Sequence, residues 1–158
     1  IKIACLAQLV NVIAPIFTQT GGGIFKQTIF YPFEHLSNYG RGLAINPIIE
    51  CPKYDCKEFT DVPYLESIAT YDEAKEQLVL FCVNKSLDEE AIVDINLLDF
   101  DGYKVKKFIS MDGYDKNDVN GFNNELVKPH INDKPVIDDN ILEIKFKPFS
   151  WNVVVLEK

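Results

Sequence analysis

Ile141-Leu-Glu-Ile-Lys-Phe146 and, shortly after it, Trp151-Asn-Val-Val-Val-Leu156 are the stretches that decide the fold class. In Leu142–Phe146 apolar and charged residues alternate strictly, the period of a strand with one face in a core and the other in water. Val153–Leu156 is apolar without a break, which fits a strand covered on both faces, and Leu78–Val83 reads the same way. Outward from these, Leu43–Ile49, Tyr64–Tyr71, Gln77–Asn84, Ala91–Leu98 and Lys104–Ile109 are further short apolar runs. Asp101-Gly102, Asp112-Gly113, Asn120-Gly121 and Asp138-Asp139-Asn140 separate several of them with turn chemistry. Many short strands at this spacing predict an all-β sandwich or barrel beyond Gly42.

The first 42 residues have another texture. Eleven of the first fourteen are apolar, the exceptions being Lys2, Gln8 and Asn11. Good helix formers at Ala4, Leu6, Ala7 and Leu9 predict a helix over residues 1 to about 14, closed near Pro15. Its apolar positions run nearly all the way round, so it is expected to be buried on most sides. It is too short for a membrane span, which needs about 20 apolar residues, and it lacks the flanks of a signal peptide. An uncapped apolar start without an initiator Met is expected of a piece cut from something larger. Gly21-Gly22-Gly23 predicts a loop, Ile24–Phe30 an extended stretch, and Tyr31–Tyr39 a short helix with Pro32 in its first turn and Gly40 at its end.

Composition narrows the function classes. The 158 residues carry 16 Lys+Arg against 24 Asp+Glu, a net charge of −8, which argues against partners such as nucleic acid or an anionic membrane. Four cysteines, Cys5, Cys51, Cys56 and Cys82, read as reduced structural thiols, with Cys5 and Cys82 expected to be buried. Neither a metal nor a cofactor is expected, because the remaining zinc ligands are dispersed. Reduced thiols favour a cytoplasmic setting. Asp112–Glu125 resembles a calcium loop but misses its register: from Asp115, position five is Val119 and Gly121 falls one place late. It reads instead as a polar hairpin loop. No nucleophile elbow, phosphate-cradling loop or identifiable carboxylate pair occurs. Gln27, flanked by Ile24-Phe25 and Ile29-Phe30-Tyr31, hydrogen-bonds either buried backbone, which composition favours, or a polar ligand.

Taken together, several segments resemble the C-terminal portion of glycoside hydrolase family 51 α-L-arabinofuranosidases. They are Lys2-Ile-Ala-Cys-Leu-Ala-Gln-Leu-Val-Asn-Val-Ile-Ala-Pro-Ile16, Gln27-Thr-Ile-Phe-Tyr-Pro-Phe33, His35, Tyr39-Gly-Arg-Gly42, Tyr54-Asp55, Asp61-Val-Pro-Tyr-Leu65 and Ser150-Trp-Asn-Val153. Phe25 departs from the pattern, standing where tryptophan is common, and Asp115–Asn124 follows it only loosely. The resemblance implies a mainly β chain: a jelly-roll β-sandwich preceded by the last helix and tail of a (β/α)8 barrel. Residues 1–41 would be the barrel remnant and 42–158 the sandwich, with a sheet edge left open where the family adds an N-terminal stretch. It also implies retaining hydrolysis of terminal α-L-arabinofuranosyl bonds by two glutamates about 5–5.5 Å apart. Both belong to barrel strand ends upstream of Ile1, so no catalytic residue is expected here, and Glu34 and Glu50 are not substitutes. In the family the glutamine of this Q-T-I-F motif resembles a contact to arabinose in the −1 subsite, which makes Gln27 the one expected substrate-binding residue. The expected partners are an arabinofuranosyl-containing oligosaccharide and, in the intact enzyme, further copies in a homo-oligomer. The rival readings are an autonomous carbohydrate-binding module and a purely structural or assembly module.

Overall fold

The computed structural model describes residues 3–158. Thirteen strands and one α-helix follow in order. They are β1 (Ile16–Thr18), β2 (Ile24–Lys26), α1 (Phe30–Tyr39), β3 (Leu43–Ile45), β4 (Lys53–Tyr54), β5 (Val62–Pro63) and β6 (Leu65–Asp72). After a 3₁₀ turn at Glu73–Lys75 come β7 (Gln77–Asn84), β8 (Ala91–Asn96), β9 (Lys104–Met111), β10 (His130–Ile131), β11 (Ile137–Asp138), β12 (Ile141–Phe146) and β13 (Ser150–Glu157). A six-stranded antiparallel sheet runs β10-β9-β13-β7-β6-β3, and a three-stranded sheet runs β11-β12-β8. The expected mainly-β sandwich is present.

The alternation in the strands explains the layers. On β13, Val154 and Leu156 point into the main core with Leu80, Cys82, Phe108, Leu142, Ile144 and Phe146. The intervening Val153 and Val155 join Val79, Phe81 and Ile109 on the opposite face of the same sheet. Strand β12 lends only Leu142, Ile144 and Phe146 to the core, and its alternate residues are exposed. The uninterrupted run of β13 therefore reflects burial on both faces, whereas the alternating run of β12 reflects burial on one. The three-stranded sheet ends at β8 and β11 with no further strand paired to either among the described residues. The exposed Ile92 lies on the β8 edge strand.

Helix α1 sits at the second face of the large sheet, where Tyr39 packs with the Val79–Phe81–Val153 cluster and Tyr31 with Met111 and Val127. Its limits agree with the expected Pro32 start and Gly40 stop, and the Gly40 N–H donates to Leu36 O at 2.9 Å. Gly42, at φ +88°, lies so close to the backbone of Tyr71 on β6 that a β-carbon would collide with the Tyr71 carbonyl.

The N-terminal helix is a correction. Residues 3–15 form no helix, and Ile1 and Lys2, its expected first residues, lie outside the described residues. Asn11 and Val12 adopt positive φ angles of 60° and 65°, which no right-handed helix accommodates. The Asn11 N–H donates to Ile16 O at 2.8 Å, and its Oδ1 accepts from the Thr18 N–H at 2.7 Å, tying the segment to β1 instead. Ile3, Val12 and Ile13 are exposed. A helix of this length is marginal unless its apolar face is packed, and among the described residues no surface surrounds it. Cys5, expected to be buried, is exposed for the same reason, while Cys82 is buried as expected.

Candidate functional site

Gln27 follows a hairpin whose register is Ile16↔Lys26, Phe17↔Phe25 and Thr18↔Ile24. The glycines form its turn: Gly21 takes φ +68°, and the Gly22 N–H donates to Gln19 O at 3.0 Å. Phe25 stacks on Phe17 with ring centres 5.1 Å apart and meets Phe122 edge-on at 4.8 Å. The Gln27 backbone is committed on both sides. Its N–H donates to Pro15 O at 2.8 Å, and its carbonyl accepts from the Phe30 N–H at 2.9 Å, which turns the chain into α1. The half-buried Gln27 side chain is different. Its amide makes no hydrogen bond to protein among the described residues, so the backbone partner that composition favours does not form.

Charged and aromatic groups frame this position. Lys26 Nζ lies 4.4 Å from the centre of the Phe30 ring and 3.9 Å from Glu34 Oε1. Glu34 is thus paired with Lys26, and Glu50 is exposed far along the chain; neither forms part of a carboxylate pair. The Tyr31 hydroxyl donates to Glu125 Oε1 at 3.0 Å, and burial followed by that carboxylate drives the phenol well above its ordinary pKa. One turn further, burial lowers the pKa of His35, with Glu34 opposing it. The neutral ring accepts at Nδ1 from Trp151 Nε1 at 3.0 Å, which pins α1 to β13. Trp151 accordingly belongs to the packing between α1 and β13.

The loop after β9 closes over the hairpin. Asn120 reaches back to the Lys26 carbonyl at 2.9 Å, and Asp115 Oδ1 accepts from both nitrogens of Asn117 at 2.9 Å. The Asp115 carboxyl is held below its ordinary pKa by those two bonds. Its oxygens close a polar turn, in keeping with a hairpin loop rather than a calcium cradle. At the base of the loop the buried Asp112 carboxylate lies 3.0 Å from Lys147 Nζ and 3.5 Å from His130 Nε2. Asn120-Gly121 reads in sequence as turn chemistry, and nothing in N-G distinguishes an asparagine that bridges to a distant strand. A cleft of about 580 Å³ lies elsewhere, on the outer sheet face beside Leu36, Ile68, Phe81 and Trp151, and Gln27 does not line it.

Residues 1–150 match the family described as the alpha-L-arabinofuranosidase C-terminal domain. The chain belongs to this family. Over all 158 residues this arabinofuranosidase C-terminal domain is 46% identical to an intracellular exo-alpha-(1->5)-L-arabinofuranosidase of Bacillus subtilis, of which it covers 31%. An intracellular exo-alpha-(1->5)-L-arabinofuranosidase of Acetivibrio thermocellus is 42% identical across the whole chain, which covers 32% of it. Among solved structures, a family 51 alpha-L-arabinofuranosidase from Bifidobacterium longum superposes with a TM-score of 0.88 at 29% identity, over 96% of this chain and 29% of that one. The domain therefore spans about a third of the length of these relatives and corresponds to their C-terminal portion. Among the described residues, no helix of the domain is long and apolar enough to cross a membrane.

Proposed function

We propose that this domain completes a cytoplasmic α-L-arabinofuranosidase, a retaining glycoside hydrolase that removes terminal α-L-arabinofuranosyl residues from arabinose-containing oligo- and polysaccharides. The observation that carries this reading is the 46% identity with an exo-arabinofuranosidase along the entire chain. The two catalytic glutamates lie upstream, in a (β/α)8 barrel. Residues 1–41 form the end of that barrel, and residues 42–158 are the sandwich that supports it. The intact enzyme is a homo-oligomer.

Gln27 is the substrate-binding residue within the domain. Its side-chain amide is free of protein partners among the described residues, while its backbone is held on both sides. An amide so placed offers two donors and an acceptor to furanose hydroxyls, bonds that strengthen as positive charge develops on the sugar ring. The binding-module reading gains little, because the Trp151 indole N–H is already engaged by His35.

The 158-residue chain alone is expected to show no turnover of an aryl α-L-arabinofuranoside; robust hydrolysis by the purified chain would overturn the assignment of catalysis to an upstream barrel. In the intact enzyme, Gln27→Ala is expected to lower kcat/KM by about 10-fold or more, the scale of one specific hydrogen bond. Unchanged kinetics would remove Gln27 from the site.

A further inference from the structure

The peptide unit joining Lys26 to Gln27 is restrained at both of its polar ends. Its N–H donates to Pro15 O at 2.8 Å, and its carbonyl accepts from Asn120 Nδ2 at 2.9 Å. Because a peptide unit is planar, fixing its carbonyl and its N–H fixes the axis from which the Gln27 side chain departs. Asn120 is itself held without slack. Its Nδ2 also donates to Val127 O at 2.7 Å, and its Oδ1 accepts from the Val127 N–H at 2.8 Å. Only 9% of the residue is exposed; its two bonds to Val127 are buried, and the one to the Lys26 carbonyl is part-buried.

The loop that carries Asn120 is braced in turn. Asp112 meets Lys147 at its base, and the Tyr114 hydroxyl donates to Lys128 O at 2.6 Å across it. Glu125 of the same loop takes the Tyr31 hydroxyl, so the loop grips the Gln27 segment on both flanks. The Asn120 amide is directed at the carbonyl that immediately precedes Gln27, whose side chain has no protein partner among the described residues.

We propose that Asn120 is a positioning residue for sugar recognition: it holds the Lys26–Gln27 peptide so that the Gln27 amide is presented to an arabinofuranosyl hydroxyl. The proposal rests on the reading of Gln27 as a substrate contact and specifies how the sandwich side of the protein serves the site. Positioning of this kind matters because a small misplacement of a binding group forfeits much of its contribution in the transition state.

The test is a double-mutant cycle in the intact enzyme, with 4-nitrophenyl α-L-arabinofuranoside as substrate. Asn120→Ala and Gln27→Ala are each expected to lower kcat/KM, by up to about 10-fold for Asn120→Ala, and the double variant is expected to fall no further than Gln27→Ala alone. Asn120→Asp keeps the acceptor bond from Val127 and replaces both donor bonds by repulsion between a carboxylate oxygen and two carbonyls, so it breaks the contact with Lys26 by a second route. It is expected to lose activity comparably and to speed amide exchange at Gln27. Wild-type kinetics in both Asn120 variants, or losses that simply multiply in the double variant, would overturn the positioning role while leaving Gln27 as a contact. A Gln27→Ala enzyme with unchanged kinetics would instead overturn the Gln27 reading, and the positioning role with it.

Discussion

Residues 3–13 and strand β13 are both rich in aliphatic side chains, yet they end in opposite environments. Ile3, Val12 and Ile13 are 83%, 74% and 77% exposed, whereas Val153, Val154 and Leu156 are fully buried. The difference lies in what each segment can pair with. Strand β13 has β7 along one edge and β9 along the other, a core under one face and the α1 layer on the other. The N-terminal segment touches the rest of the domain mainly through Asn11 and β1. Apolar composition states a demand for burial, and only neighbouring elements can meet it.

The contrast breaks most sharply in the core. Phe146→Ala empties a fully buried ring site against Phe108 and is expected to cost about 3–5 kcal/mol in denaturant unfolding of the domain. A loss under 1 kcal/mol would mean that the two sheets are not packed as described. Next comes the polar centre of β13. Asn152 Oδ1 accepts from the Ser110 hydroxyl at 2.7 Å and its Nδ2 donates to Ser150 Oγ at 2.8 Å, so Asn152→Ala takes one buried bond from each hydroxyl, leaving Ser110 with Asn132 and Ser150 with the Lys147 carbonyl, and is expected to cost about 1–3 kcal/mol.

A smaller effect is expected at the helix–sheet contact and depends on pH. The folded protein holds His35 with a lowered pKa, so the unfolded chain binds the proton more readily. The stability contributed by neutral His35 is thus complete above the unfolded value of about 6.5 and declines as pH falls from there through the lower folded value. Protonation also removes the Nδ1 acceptor from Trp151. Thermal melts between pH 7.5 and 5.5 are expected to show a steeper decline for the wild type than for His35→Gln; parallel declines would count against a neutral, buried His35. The smallest effect is expected at Ile13→Ser, within about 0.5 kcal/mol in the isolated domain, as for an exposed site. A large loss there would show that the N-terminal segment finds a surface within this chain after all.

The strands were legible because their signals are local. Gln77–Asn84 and Ile141–Phe146 match β7 and β12 residue for residue, the first from an unbroken apolar run and the second from alternation, while Pro32 and Gly40 place α1 to within one residue. The expected N-terminal helix does not form, because propensity at Ala4, Leu6 and Ala7 speaks for a helix only when something covers its sides. The pairing order of the large sheet, in which β13 lies between β7 and β9, depends on contacts between segments far apart in sequence and has no local signature. At the candidate site, Gln27 was found through the Q-T-I-F motif. Asn120 was not, since its role depends on a carbonyl 94 residues away.

Residue types and spacings, which act over a few positions, suffice for the class of this domain: its period-two strands, its turn residues and its acidic balance. Only long-range contacts leave the Gln27 side-chain amide without a protein partner among the described residues, on a doubly restrained peptide, make Asn120 one of those restraints, and leave Ile3, Val12 and Ile13 exposed. These outcomes rest on hydrogen bonds and burial between distant segments, and a linear pattern carries no distance in space.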